Sequence, residues 1–114
     1  MVDKEVIEQM LTYYVKINYA NKWLQQNTLT DSDSLNKKIY ILMITKKLKE
    51  AVDGFNRLNK DYPVNILNQE ENKTYIINFL TEEKLKAICS EMFGIKNFSF
   101  DPAENLVNYF LSNF

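Results

Sequence analysis

Without a single histidine among its 114 residues, the chain has no Ser-His or Cys-His nucleophile pair and no imidazole proton shuttle. Cys89 is the one cysteine. It falls on an apolar helical stripe with no cation on its own face to lower its pKa, so it reads as a small core residue. One thiol also cannot close an internal disulfide or form the Cys/His sets that hold zinc and iron–sulfur clusters. Oxygen ligands for hard cations remain. Asp31-Ser32-Asp33 starts like a calcium loop, but Asn36 stands where that loop needs glycine and Leu42 where it needs the closing glutamate. The adjacent acids Glu70-Glu71 and Glu82-Glu83 offer paired-carboxylate chemistry in principle, yet in a turn or at a helix start such pairs are usually solvated or stabilised by the helix dipole. Gly54 and Gly94 are the only two glycines, too few for a phosphate-cradling loop. The expectation is a protein that is not an enzyme, with no catalytic residue, no metal and no cofactor.

Binding chemistry is better supplied. Tyr19 and Trp23 project on the polar side of the first helical segment, where aromatic side chains either await a second element or serve as partner-binding anchors. Between residues 34 and 60 there are seven basic and two acidic side chains, +5, while the whole chain carries −1 and its remainder −6. Lys38, Lys46, Lys49, Arg57 and Lys60 share one side of that segment, the one region with the charge to meet phosphate or an acidic protein surface. Four lysines and one arginine favour phosphate over base reading, because arginine supplies the bidentate fork for guanine.

The elements that position these residues follow from periodicity. Residues 4–25 read as a helix with Ile7, Met10, Tyr14, Ile17 and Leu24 at three-four spacing, and with a buried stripe that swings round in the last two turns. A polar stretch rich in Thr, Ser and Asp then leads into a second helix over 34–61. Here Ile41, Ile44, Leu48, Ala51, Phe55, Leu58 and Tyr62 repeat for three heptads, which predicts a long helical hairpin. Gly54 inside that run predicts a bend. A second stripe of Leu35, Ile39, Leu42 and Met43 lies nearly opposite, so the first half of this helix needs cover on two sides.

Tyr62-Pro63 stops the helix, and the period then changes. Residues 64–67 and 74–80 flank the polar loop 68–73 and read as a β-hairpin with Tyr75, Ile77 and Phe79 on one face. Thr81-Glu82-Glu83 caps a helix carrying Leu85, Ile88, Cys89, Met92 and Phe93. Residues 97–100 alternate as a further extended piece. Asp101-Pro102-Ala103-Glu104 is a strong start signal for a last helix with Leu106, Val107, Tyr109, Phe110, Leu111 and Phe114, too apolar to stand alone.

The predicted class is therefore α+β: one domain over residues 1–114, with a helical hairpin over 4–62 and a β-hairpin plus two helices over 63–114. The longest apolar run, Ile39 to Ile44, is far short of a membrane span. The start Met1–Glu5 lacks the order of a signal peptide, which predicts a cytoplasmic location. Asn, Lys, Ile, Tyr and Phe supply 51 of the 114 residues; all have A/T-rich codons, as suits a phage- or mobile-element-encoded protein. Surplus apolar surface without catalytic groups predicts a small protein-binding regulator, inhibitor or immunity-type factor, possible as a homodimer. The alternatives are a nucleic-acid-associated protein using the basic face of helix two and a structural subunit of a phage-type assembly.

Overall fold

Ser34 sets where the longest helix begins. Its backbone is extended (φ −64°, ψ 155°) and its hydroxyl accepts the Lys37 N–H at 3.2 Å, satisfying one of the donors that a helix start leaves open. The helix, α2, runs Leu35–Asp61. Its end is set by Pro63: Tyr62 is extended (φ −131°, ψ 121°), while its own N–H still reaches the Leu58 carbonyl at 2.9 Å. A computed structural model describes residues 4–27, 34–62, 67 and 69–93. The hairpin expected from the periodicity is present, with α1 over Lys4–Gln26 packed along α2.

Inside the hairpin, α2 places Ile41, Ile44 and Ala51 in the core, with Leu48, Phe55, Leu58 and Tyr62 packed partly buried on the same side. α1 buries Ile7, Met10, Leu11, Val15, Tyr19 and Ala20. Tyr14, Ile17 and Leu24 are only half-buried, so the buried stripe sits about one residue round from the expected one. It swings as foreseen and takes Tyr19 inward. Gly54 does not interrupt α2. A Cβ there would stand 2.6 Å from Cε1 and Cζ of Tyr13, so the missing side chain lets the Tyr13 ring lie against the α2 backbone.

The second half of the chain corrects the α+β prediction. Helix makes up 92% of the described residues, which contain no strand. Where residues 74–80 were expected as a strand, α3 spans Lys73–Phe79, preceded by a 3-10 turn over Glu70–Asn72. Ile76 and Leu80, four apart, are buried together with Leu67, which is helical spacing. Tyr75 turns toward α1, where its hydroxyl donates to Glu8 Oε1 at 2.8 Å and Lys4 Nζ lies 5.2 Å from its ring centroid. The alternation of Tyr75, Ile77 and Phe79 misled because seven residues are too few to separate a period of 2 from one of 3.6. A helix also closes its backbone hydrogen bonds within itself, whereas an isolated two-stranded hairpin is marginal. Residues 64–66 of the expected first strand, the extended piece 97–100 and the last helix from 101 lie outside the described residues.

α4 spans Glu82–Phe93 and starts as predicted: Thr81 accepts the Lys84 N–H on its hydroxyl at 3.2 Å and the Leu85 N–H on its carbonyl at 2.9 Å. Leu85, Ile88, Cys89 and Met92 are buried, closing the core against α1 and α2.

Candidate protein-interaction face on α2

α2 has two long sides, and only one is used by the core. At 100° per residue, Leu35, Ile39, Leu42 and Met43 fall together on the side away from α1. They are 72%, 54%, 67% and 40% exposed. Continuing along the same side, Lys46, Lys49 and Lys60 are exposed, as is Arg57, which also reaches the cavity shared with α1 and α4, while Lys38 flanks the apolar part half-buried. The outward face is thus apolar for its first two turns and mainly basic thereafter, with the exposed Asp53 and Glu50 among its cations. The second cover expected for the first half of this helix is not supplied by any described residue.

The aromatic pair of α1 is divided. Tyr19 is 0% exposed and belongs to the core; it presents no surface to a partner. Trp23 is half-buried and stacks edge to face on Tyr40, the ring centroids 5.2 Å apart at 72°, an arrangement that suits the ring quadrupoles. Burial raises the Tyr40 hydroxyl above its ordinary pKa. The aromatic end of the hairpin is therefore tied to α2 by a contact of its own, and Trp23 retains partial exposure.

Lys47 has a role that sequence alone did not disclose. Its Nζ donates to the Met92 carbonyl at 2.8 Å and the Glu91 carbonyl at 3.4 Å, two of the last acceptors of α4, where a cation also meets the negative end of the dipole. Lys16 Nζ stands 3.7 Å from Glu91 Oε1. Around these groups lies an open cavity of about 310 Å³ lined by Tyr13, Lys16, Lys47, Glu50, Arg57 and Met92 among others. Its cations face Glu50 and Glu91, and Lys47 is committed to the α4 carbonyls, so it reads as the seam between α2 and α4.

The remaining chemical candidates are placed simply. Cys89 is buried, and desolvation pushes its thiol up to about 12, which keeps it protonated and unreactive at neutral pH. Glu70 and Glu71 are exposed in the 3-10 turn. Glu82 and Glu83 are exposed in the first turn of α4, with Lys86 Nζ 3.2 Å from Glu82 Oε1. Among the described residues no three His, Cys, Asp or Glu side chains converge to hold a metal ion, and no helix is long and apolar enough to cross a membrane. Asp31-Ser32-Asp33 lies outside the described residues. No family model, curated protein or solved structure matches the chain.

Proposed function

We propose that the protein is a small non-catalytic regulator that acts by binding another protein through the outward face of α2. The observation that carries this reading is the stripe Leu35, Ile39, Leu42 and Met43, four large apolar side chains 40–72% exposed on adjacent turns. Contiguous apolar patches of this kind mark interaction sites more often than scattered exposed leucines do. Lys46 and Lys49 at one end would set the direction of an acidic partner, raising the association rate more than the affinity. The half-buried Trp23 of α1 is offered as a further anchor; Tyr19, buried in the core, is not.

The test is affinity capture from the native host with the full chain, repeated with Leu42→Asp, with Trp23→Ala and with the double reversal Lys46→Glu/Lys49→Glu. Loss of one specific partner with Leu42→Asp, in a protein of unchanged helicity, is the expected outcome. Retention of every captured protein by that variant would reject the face.

A second reading is favoured by a different observation, the exposed row Lys46, Lys49, Arg57 and Lys60. If these four contact backbone phosphates, the affinity for duplex DNA should fall with salt at a log–log slope of about −4. A slope near zero, or binding untouched by the Lys46/Lys49 reversal, would sink it.

A further inference from the structure

The seam between α2 and α4 is not closed. Where the inward side of α2 shrinks to the buried Ala51 and Gly54, α1, α2 and the end of α4 leave the cavity of about 310 Å³. At about 30 Å³ per molecule in the liquid, that is room for about ten waters. It falls at the lower end of the range for small-molecule sites.

Two groups at one end of this cavity have hydrogen bonds still to give. The Tyr13 ring stands against the α2 backbone at Gly54, and its hydroxyl oxygen lies 3.0 Å from where a Cβ would be. Arg57 lines the cavity less than one turn further along α2. Among the described residues the Tyr13 hydroxyl has no hydrogen-bond partner and the Arg57 guanidinium has no ion-pair partner. A phenolic donor beside a planar guanidinium fork suits an oxyanion.

The opposite end is chemically committed. Lys47 donates to the Glu91 and Met92 carbonyls, and Lys16 Nζ stands 3.7 Å from Glu91 Oε1. With all walls counted, Lys16, Lys47 and Arg57 face Glu50 and Glu91, an excess of one positive charge among the described residues. That balance selects a single negative charge. A carboxylate carries one, whereas a phosphate monoester carries about 1.5 to 2 at neutral pH and is repelled by the two glutamates. Between the ends, Ala51, Met92 and the Tyr13 ring supply apolar wall, and both the phenol ring and the thioether are favourable neighbours for an aromatic body.

We propose that this cavity binds a small monocarboxylate with an apolar body, its carboxylate held by Arg57 and the Tyr13 hydroxyl and its body lying along Ala51 toward Met92. The site is separate from the apolar stripe of α2, and the proposal stands whether or not that stripe binds a protein.

The experiment titrates the full chain with phenylacetate, phenyl phosphate and 2-phenylethanol at constant ionic strength, followed by NMR of the Tyr13 ring and the Ala51 and Met92 methyls. Phenylacetate should saturate with a Kd of about 1 mM or below, and the other two should bind at least several-fold more weakly. Arg57→Gln should weaken phenylacetate by about tenfold. Arg57→Lys, which keeps the charge and loses the fork, should fall between. Tyr13→Phe keeps the ring and should cost about threefold through the lost hydroxyl. Lys60→Gln removes a neighbouring charge outside the cavity and should leave the affinity in place. Unchanged helicity of each variant shows that it folds. No saturable shift at about ten times the expected Kd, equal affinity for phenyl phosphate or 2-phenylethanol, or binding unaltered in Arg57→Gln overturns the proposal. Shifts centred on Leu42 and Met43 would put the acid on the outward face and overturn it equally.

Discussion

The two sides of α2 are built from the same kinds of residue and meet opposite fates. Ile41 and Ile44 on the inward side are 8% and 0% exposed, while Ile39 and Leu42 on the outward side are 54% and 67% exposed. Hydrophobicity therefore does not place a residue; the presence of a covering element does. α1 and α4 cover one side, and the apolar surface left on the other is beyond what folding of the described residues uses. That surplus is the reason for assigning function to the outward side and stability to the inward one.

The largest effect is expected from a truncation on the inward side. Ile44→Ala should cost about 2–5 kcal/mol in denaturant unfolding, because a filled site becomes a cavity. Gly54→Ala comes next. The added methyl meets the Tyr13 ring at 2.6 Å, and overpacking of this kind costs about 1–3 kcal/mol against a helix-propensity gain of about 1 kcal/mol. In a Tyr13→Leu background the same substitution should become neutral or stabilising, and a double-mutant cycle that shows no coupling would remove the proposed contact. Lys47→Met should lower stability by about 1 kcal/mol through lost hydrogen bonds to the end of α4, with amide exchange quickening first in the last turn of that helix.

An alkaline titration tests the core from another side. Below its ordinary pKa of 9.0 the Cys89 thiol is neutral in both states and adds no pH dependence. As pH rises from there toward about 12, the unfolded chain releases a proton that the folded chain keeps, so stability should fall across that window. Cys89→Ala should flatten the slope, and Tyr40→Phe should do so to a smaller degree. The smallest effect is expected outside: Leu42→Ser should change stability by no more than about 0.5 kcal/mol. A loss comparable to that of Ile44→Ala would show that the outward stripe is core and would break the comparison.

Much of the helical scaffold was legible because its signals are local and long. Three heptads on α2, the Thr-, Ser- and Asp-rich stretch before it, the Tyr62-Pro63 stop and the Thr81 cap each act within a few residues, and α2 and α4 begin or end within about a residue of where those signals put them. Residues 73–80 were not legible. Over two turns the apolar spacing admits strand and helix alike, and the choice fell to burial of Ile76 and Leu80 and to the Tyr75 hydrogen bond with Glu8, a partner 67 residues away. Of the candidate site, the apolar and basic stripes of α2 could be read from spacing. The burial of Tyr19 could not, since it depends on which elements cover the far end of α1.

By itself, then, the order of residues determined the long helices, their caps and the faces on which apolar and charged side chains fall, because helical periodicity is a property of the backbone. Only the tertiary structure decided which of those faces is core, why position 54 carries no side chain, and that Lys47 holds the end of α4 rather than joining the basic surface. Those outcomes depend on contacts between segments far apart in the chain, and no local pattern encodes which neighbour arrives.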